Sequence, residues 1–432
     1  MERCGRGPSR HPDGTAVLTA DTHAALVALV RDEGRRVMAT LVRTTGSWEL
    51  AEDAVQDAAL RALETWSRDG IPAEPRAWLT LTARRRALDV LRREAARTGK
   101  QQEAVTLMDQ RGTAEDLPGS VVRDDLLRLI FTCCHPALSP QTQVALALRT
   151  LAGLSTAETA RALLVPEQVM AKRLTRAKQK IRDAAIPYRV PPDAELPARL
   201  RGVGATVYLM FNEGWAPGAG DTVVRPDLLD EAVRLARLLH ELMPDEPTAT
   251  GLLALLLLLD ARRASRAGPD GSPLLLREQD RALWDRALVD EGMALLGDGL
   301  RRTPERPDPY VVQAAIAACH VLAPHPQATD WRAICSWYDV LLTVQDVPAV
   351  RLARAVALAE RDGPAAGLAA LEHVRGLERT AALHAARAEL LLQCGHGPAA
   401  VAAYDRALAL PASGPQAKHL QGRRAAAQAA SQ

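Results

Sequence analysis

Residues 151–183, LAGLSTAETARALLVPEQVMAKRLTRAKQKIRD, carry the pattern that most restricts how this chain can fold. Ser155 and Glu158 have the S-x-x-E spacing of a capping box, which predicts that a helix begins at about Thr156. Pro166 interrupts that helix, because proline cannot continue a helix but suits the first turn of a new one. The stretch therefore predicts two helices joined by a tight turn.

The second predicted helix is amphipathic. Its apolar stripe has i, i+4, i+7, i+11 spacing and consists of Met170, Leu174, Ala177 and Ile181. Its opposite face is basic and carries Lys172, Arg173, Arg176 and Lys180. A basic helix after a short turn has the geometry that fits the major groove of DNA. The pattern favours a DNA-binding helix-turn-helix, although a solvated amphipathic helix in a bundle has the same spacing.

The overall composition favours helices. Aromatic residues make up only 3% of the 432 residues, while β-sheets prefer aromatic and β-branched residues, so we expect an all-α protein. The net charge is only +2, so affinity for nucleic acid must come from local basic patches. Six scattered cysteines without a signal-peptide pattern predict free thiols and a cytoplasmic location. The longest apolar run, residues 252–259, is too short to span a bilayer.

Two segments upstream predict charged helices. Residues 48–67 predict a helix with an acidic side, which can be a solvated face or a docking site for a basic partner helix. That side includes Glu52, Asp53, Gln56 and Asp57. Residues 76–97 predict a basic helix that includes Arg84, Arg85, Arg92 and Arg93. The density of arginines favours contact with phosphates over a plain solvated face.

More than half of the chain follows residue 187, and a repeat appears near its end. Gly363-Pro364 and Gly397-Pro398 lie 34 residues apart within similar segments, and 34 residues is the period of tetratricopeptide (TPR) repeats. We therefore expect stacked helix pairs with a concave surface for peptides or proteins, although a plain helical domain would lack such a groove.

These residues together resemble a bacterial sigma factor of the extracytoplasmic-function (ECF) class. AEDAVQDAALRALETW (51–66) is similar to region 2.2 of that family, PRAWLTLTARRRALDVLRR (75–93) to regions 2.3 and 2.4, and residues 124–182 to region 4. The resemblance spans about residues 22–187. Arg85 stands where the family often has asparagine.

The resemblance implies an all-α fold with two small helical sigma domains, a region 2 bundle and a region 4 helix-turn-helix, followed by a large TPR-like extension. It implies no cofactor. The residues expected to bind core RNA polymerase are Glu52, Asp53, Gln56 and Asp57. Those expected to engage the promoter −10 element are Trp78, Arg84, Arg85, Arg92 and Arg93. Those expected at the −35 element are Glu167, Gln168, Lys172, Arg173, Arg176 and Lys180.

The segment YLMFNEGW (208–215) resembles a signature of ECF factors that carry a TPR-like extension. The resemblance implies that the extension is needed for activity and takes the place of a membrane anti-sigma factor. It also makes a small DGPF-type (YCII-related) protein a candidate partner, besides core RNA polymerase and promoter DNA. The sequence predicts a turn at 212–215, where Asn212, Glu213 and Trp215 would anchor the extension against the sigma domains.

The predicted organisation is a disordered N-terminus at 1–20, sigma region 2 at 21–98, a flexible linker at 99–120, sigma region 4 at 121–187, a helical extension with the FNEGW turn at 188–290 and TPR-like repeats at 291–432.

No nucleotide-binding, zinc-protease or serine-hydrolase motif is present, and Cys133-Cys134-His135 fits core packing better than metal binding. We therefore expect no enzyme. Two alternatives stay open: a stand-alone helix-turn-helix regulator with a helical sensing domain, and an α-helical enzyme within the extension.

Overall fold

The computed structural model describes residues 33–98 except 35, residue 125, and residues 128–430 except 152, 153, 164, 187, 190, 193, 194, 219, 270, 304 and 306. The predicted disordered N-terminus at 1–20 and the predicted linker at 99–120 lie outside these residues. Within the described ranges the secondary structure is helical, with no β-strand and one isolated bridge between Ala267 and Pro273. The all-α prediction is confirmed.

The described residues belong to two compact units. The first unit comprises the described parts of Met1–Ser155 and Ala171–Pro192, and the second those of Thr156–Met170 and Asp193–Gln432. The boundary between them runs through the helix-turn-helix, so the domain boundaries expected from the sequence stay a prediction.

In the first unit a helical segment at 36–45 precedes α1 (Trp48–Asp69) and α2 (Pro75–Thr98). Ser47 caps α1, because its hydroxyl accepts a hydrogen bond from the Leu50 backbone N–H at 3.3 Å. Gly70 follows the helix with φ of +87°, a conformation that favours glycine. α1 and α2 pack on each other. Their buried side chains are mostly small: Ala51, Ala54, Ala58, Ala62 and Trp66 of α1, and Leu79, Ala83 and Ala87 of α2.

A buried carboxylate, Asp125, joins several parts of the first unit. Arg43 Nε lies 2.9 Å from its carboxylate and Arg128 3.3 Å. The Tyr188 hydroxyl lies 2.8 Å from the Asp125 carbonyl oxygen and 2.9 Å from that of Ala39, so it can donate to either. Burial raises the pKa of both Asp125 and Tyr188. The ion pairs offset much of the cost of burying the Asp125 charge.

The predicted helix-turn-helix is present. A helical segment at 128–133 and α3 (Pro140–Thr150) precede α4 (Thr156–Ala162) and α5 (Glu167–Asp183). α5 begins directly after Pro166, as the sequence predicts. Between the two helices the Val165 N–H donates to the Ala160 carbonyl at 2.9 Å, which closes the tight turn.

The second unit continues with helices that pack in consecutive pairs. These helices are α6 (Leu196–Trp215), α7 (Pro226–Leu242), α8 (Pro247–Asp260), α9 (Arg286–Arg302), α10 (Pro309–Leu322), α11 (Trp331–Val344), α12 (Pro348–Asp362), α13 (Pro364–Leu371), α14 (Ala381–Gln393), α15 (Gly397–Leu408) and α16 (Gly414–Ala429). α6 packs with α7, α8 with α9, α10 with α11, α12 with α13 and α14 with α15, and α16 packs on α15. Most of the connections are short, so paired neighbours run antiparallel.

The 34-residue period marks equivalent points in two of these pairs. α13 begins at Pro364 and α15 begins at Gly397, so each glycine-proline step introduces the second helix of a pair. Gly363 precedes its helix with φ of +99°. The helix pairs confirm a TPR-like extension.

One local prediction is wrong. The sequence predicts a turn at 212–215, but these residues are helical. α6 ends at Trp215, and Ala216 is its C-cap. Gly214 lies inside the helix, where a Cβ would stand 3.0 Å from the backbone nitrogen and side chain of Leu229. The glycine therefore allows α6 and α7 to approach closely and does not break the helix.

Candidate nucleic-acid interface

α5 has one buried face and one exposed face. Met170, Leu174 and Ala177 are buried, as the spacing of the stripe predicts. The candidate −35 residues are accessible: Glu167, Gln168, Lys172, Arg176 and Lys180 are exposed, and Arg173 is half-buried. The structure therefore places these six side chains on the accessible surface of one helix. Such a surface can approach DNA without disturbing the core.

The acidic side of α1 is engaged in ion pairs within the first unit. The Glu52 carboxylate binds Arg149 of α3 at 3.0 Å and also binds Lys178 of α5. Asp57 binds Arg86 of α2. Of the residues expected to bind polymerase, Asp53 and Gln56 are exposed. Glu52 and Asp57, two of the residues expected to bind polymerase, are therefore paired with basic side chains of the same unit.

Arg182 forms a further pair of the same kind, with Glu49 at the start of α1. Lys178 and Arg182 are basic residues of α5, the helix predicted to bind DNA. Here their charges are compensated by carboxylates of α1. These contacts could not be predicted from local patterns, because the partners are separated by 126 and 133 residues.

The basic side of α2 is largely accessible. Arg85, Arg92 and Arg93 are exposed and Arg84 is half-buried. Trp78 is half-buried, and its ring meets that of Trp66 edge to face at 5.2 Å between centroids. This contact packs the Trp78 ring of α2 against α1.

The end of α6 lies beside the first helix of the helix-turn-helix within the second unit. Burial raises the pKa of Glu213, and the Gly218 N–H at 3.3 Å together with the charges of Arg225 and Arg161 opposes that effect. Arg225 also pairs with Glu158 of α4, at 3.8 Å. These charged groups connect α4 to the segment that follows the sigma-like part of the chain.

Asn212 and Trp215 face other partners in the extension. The Asn212 side chain is in hydrogen-bonding contact with the Tyr208 hydroxyl. The Trp215 ring stacks on that of Phe211 at 5.9 Å, and the guanidinium groups of Arg262 and Arg266 lie over it at 5.5 and 4.7 Å. Neither arginine was predicted as a functional residue. Both follow the apolar run at 252–259 within a few residues, and that position was the one feature that could have suggested a buried charge.

Cys133 and Cys134 are buried, and burial raises the pKa of the Cys133 thiol. Among the described residues no group of three or more histidine, cysteine, aspartate or glutamate side chains is arranged to hold a metal ion. None of the described helices is long and apolar enough to cross a membrane.

The chain has a helix-turn-helix with an exposed basic face and a helical pair with an arginine-rich surface. These features are typical of a helical transcription protein that binds DNA. Comparisons with known proteins narrow this class. Residues 29–97 match sigma-70 region 2, residues 128–181 match sigma-70 region 4, and residues 199–300 match a family of unknown function, DUF6596.

Related proteins agree with these matches. The uncharacterized protein R00370 of Rhizobium meliloti is 42% identical over 389 residues, which cover 89% of this chain and 92% of that protein. The ECF RNA polymerase sigma factor SigL of Mycobacterium tuberculosis is 32% identical over 165 residues, or 38% of this chain and 90% of SigL. SigJ of the same species is 32% identical over 197 residues, or 44% of this chain and 58% of SigJ.

The chain belongs to the ECF RNA polymerase sigma factor family and carries a long C-terminal extension. It is therefore a sigma factor, a protein that acts with core RNA polymerase and promoter DNA. Among solved structures, yeast Tom70 aligns with 95% of this chain and 88% of its own at 13% identity and a TM-score of 0.36.

Proposed function

We propose that this sigma factor directs core RNA polymerase to promoters through three surfaces: α5 at the −35 element, α2 at the −10 element and α1 on the polymerase. The observation that carries the proposal is that α5 has both a buried apolar face and accessible basic side chains. Met170, Leu174 and Ala177 of its apolar stripe are buried, and all six candidate side chains are at least partly accessible. An accessible basic helix after a tight turn is what entry into a major groove requires.

The candidate residues of α5 differ in the DNA groups that their side chains can contact. Arg173, Arg176 and Lys172 suit guanine, Gln168 suits adenine, and Glu167 can accept a hydrogen bond from cytosine. Lys180, near the end of the helix, suits phosphate. The −10 surface is supported by the exposed Arg85, Arg92 and Arg93 together with Arg84 and the fixed Trp78 ring.

Two substitutions on α5 test this division. Arg176→Ala is expected to relax the preference at one −35 position, at a cost of about 1–3 kcal/mol, because a base contact is lost. Lys180→Ala is the matched control and is expected to weaken all promoters alike, because phosphates carry no sequence information. Run-off transcription from promoters that vary base by base at −35 measures both. Equal losses on every promoter for Arg176→Ala would rule out its base-reading role.

The ion pairs of Glu52 support a closed state of the sigma regions. A polymerase that binds the acidic side of α1 has to compete with Arg149 and Lys178 for the same carboxylate. DNA that binds Lys178 has to compete with Glu52 in the same way. We therefore propose that these pairs open when polymerase and promoter bind.

The extension is proposed to regulate the factor through α4. Support comes from the pair between Arg225 and Glu158 and from the charge of Arg161 near Glu213, which connect the start of the extension to the helix-turn-helix. In this proposal Asn212 and Trp215 hold the end of α6 in place while Glu213 faces α4.

Removal of the extension tests its role. Because Arg225 and Glu213 are lost with it, a chain that ends at residue 192, which keeps Tyr188 and the rest of the first unit, is expected to lose most promoter-dependent transcription. The Arg225→Gln variant of the full chain, which keeps the fold of the extension, should show a smaller loss in the same assay. Unchanged transcription by the truncated chain would overturn the regulatory proposal.

We also propose a cytoplasmic location, because the factor acts with core RNA polymerase. A small DGPF-type (YCII-related) partner is proposed from the resemblance.

A further inference from the structure

The extension contains a cavity of about 450 Å³, lined by α6, α8, α10, α11 and the start of α12. This volume is within the range of small-molecule pockets, about 300–1,000 Å³. Three tyrosines line it, Tyr208, Tyr310 and Tyr338, and most of the remaining wall is apolar. Burial raises the pKa of all three hydroxyls, so they remain protonated and able to donate hydrogen bonds.

A buried cation, Arg262, also lines this cavity. Arg262 is only 8% exposed, and its Nε has no hydrogen-bond partner. In the part of the chain that the structure describes, no carboxylate lies within 4.0 Å of its guanidinium. The neighbouring Asp260 is already bound by Arg263, at 2.7 and 2.8 Å. The Trp215 ring at 5.5 Å contacts a face of the guanidinium and does not satisfy the Nε–H donor.

The surroundings of Arg262 are positive. Burial first, and then the charges of Arg266 and Arg281, lower its pKa to about 10, so it remains a cation at neutral pH. His320 lines the same cavity, and its Nδ1 is buried without a partner. Burial and the charges of Arg262 and Arg281 lower the pKa of His320 to about 4, so this ring is neutral at pH 7. A buried cation without a counter-ion is costly, and proteins normally compensate such a charge.

We propose that this cavity binds a small organic anion, a carboxylate with an apolar or aromatic body, and that the Arg262 guanidinium pairs with the carboxylate. The planar fork of one guanidinium matches the two oxygens of a carboxylate. Arg266 and Arg281 donate to backbone carbonyls, at 3.2 Å and at 2.7 and 2.8 Å, and neither lines the cavity, so Arg262 is the arginine of this group that is placed to pair with the ligand. The tyrosine rings and aliphatic side chains contact the body of the ligand.

This inference concerns binding alone and does not depend on the role of the extension in transcription. Isothermal titration calorimetry of the full chain with 4-phenylbutanoate and decanoate tests it, with the primary amides of both acids as neutral controls. We expect each acid to bind at least about tenfold more tightly than its amide, because a charged hydrogen bond is lost in the amide. Inorganic phosphate, an anion without an apolar body, should bind weakly.

Substitutions test whether Arg262 is the residue that binds the carboxylate. Arg262→Gln is expected to weaken binding of both acids by about 10- to 100-fold, and Arg262→Lys by less. Arg332→Gln, which removes an exposed arginine from α11, is the matched control and should bind as the unaltered chain does. The preference for acid over amide is measured on the unaltered chain, so the proposal can fail even if a variant does not fold.

Three results would overturn the proposal. The first is the absence of saturable binding by either acid at roughly millimolar concentration. The second is equal affinity for acid and amide, and the third is equal affinity of Arg262→Gln and the unaltered chain for the acids. Phosphate that binds as tightly as the acids would refute the requirement for an apolar body.

Discussion

Gly251 marks the closest approach of two helices in the extension, and its replacement by alanine should destabilise the fold. Gly251 lies within α8, opposite the start of α10. A Cβ at this position would stand 2.6 Å from the backbone nitrogen of Val311 and 2.7 Å from its Cγ2. Because the nearest atom belongs to the backbone, a side-chain rotation cannot relieve the clash, and α8 and α10 have to move apart.

The magnitude follows from two opposing effects. Alanine is favoured over glycine inside a helix by about 1 kcal/mol. Overpacking of a tight core costs about 1–3 kcal/mol, and a backbone contact at this distance places the cost at the upper end. We therefore expect Gly251→Ala to lower the free energy of unfolding by about 2 kcal/mol.

Urea unfolding of the full chain, followed by circular dichroism, measures the change, and hydrogen exchange of the amides at 252–258 localises it. Gly422→Ala is the matched control: it also lies inside a helix, α16, but a Cβ there meets nothing within 4 Å. This control should raise stability by up to about 1 kcal/mol. If Gly251→Ala stabilises the chain as Gly422→Ala does, the described packing of α8 on α10 is wrong.

Two further predictions concern ion pairs. Burial raises the pKa of Glu389, but hydrogen bonds from Arg423 and Tyr404 outweigh it, so the folded pKa is lowered. The stability this carboxylate provides is present above its unfolded pKa of about 4.3 and is lost as the pH falls through the folded value. Chemical denaturation across pH 3–7 should show this loss in the unaltered chain and not in Glu389→Gln; parallel profiles would contradict it. Arg149→Gln should strengthen binding to core RNA polymerase by about fivefold, since a partly buried pair of about 1 kcal/mol no longer holds Glu52. Arg68→Gln, on the exposed end of α1, is the control, and unchanged binding by Arg149→Gln in a titration of labelled polymerase would refute the competition.

Local chemistry was sufficient to predict the helices of the DNA-binding part. Pro166 and the apolar spacing of Met170, Leu174 and Ala177 specify where α5 begins and which face it buries. These signals are local, because a proline restricts its own backbone and helical periodicity places residues four apart on one face. The 34-residue period likewise located the helix pairs around Pro364 and Gly397.

The sequence could not predict features that depend on distant partners. Gly214 has the local signature of a turn, but its role is set by Leu229 on the next helix. The pairing of Glu52 with Arg149 joins residues 97 positions apart, and no pattern along the chain marks it. Arg262 became a candidate ligand-binding residue only when the structure placed it, buried and unpaired, in a cavity lined by five helices. Each of these features arises from tertiary packing, which periodicity does not encode.

Run-off transcription with purified core RNA polymerase tests the central claim most directly. The chain and core polymerase together should produce a transcript that starts at one promoter position, while neither does so alone, and the chain by itself should bind the promoter only weakly. The opposite result, tight binding of a symmetric dimer to DNA without polymerase and no transcript when polymerase is added, would contradict the assignment and favour a stand-alone helix-turn-helix regulator.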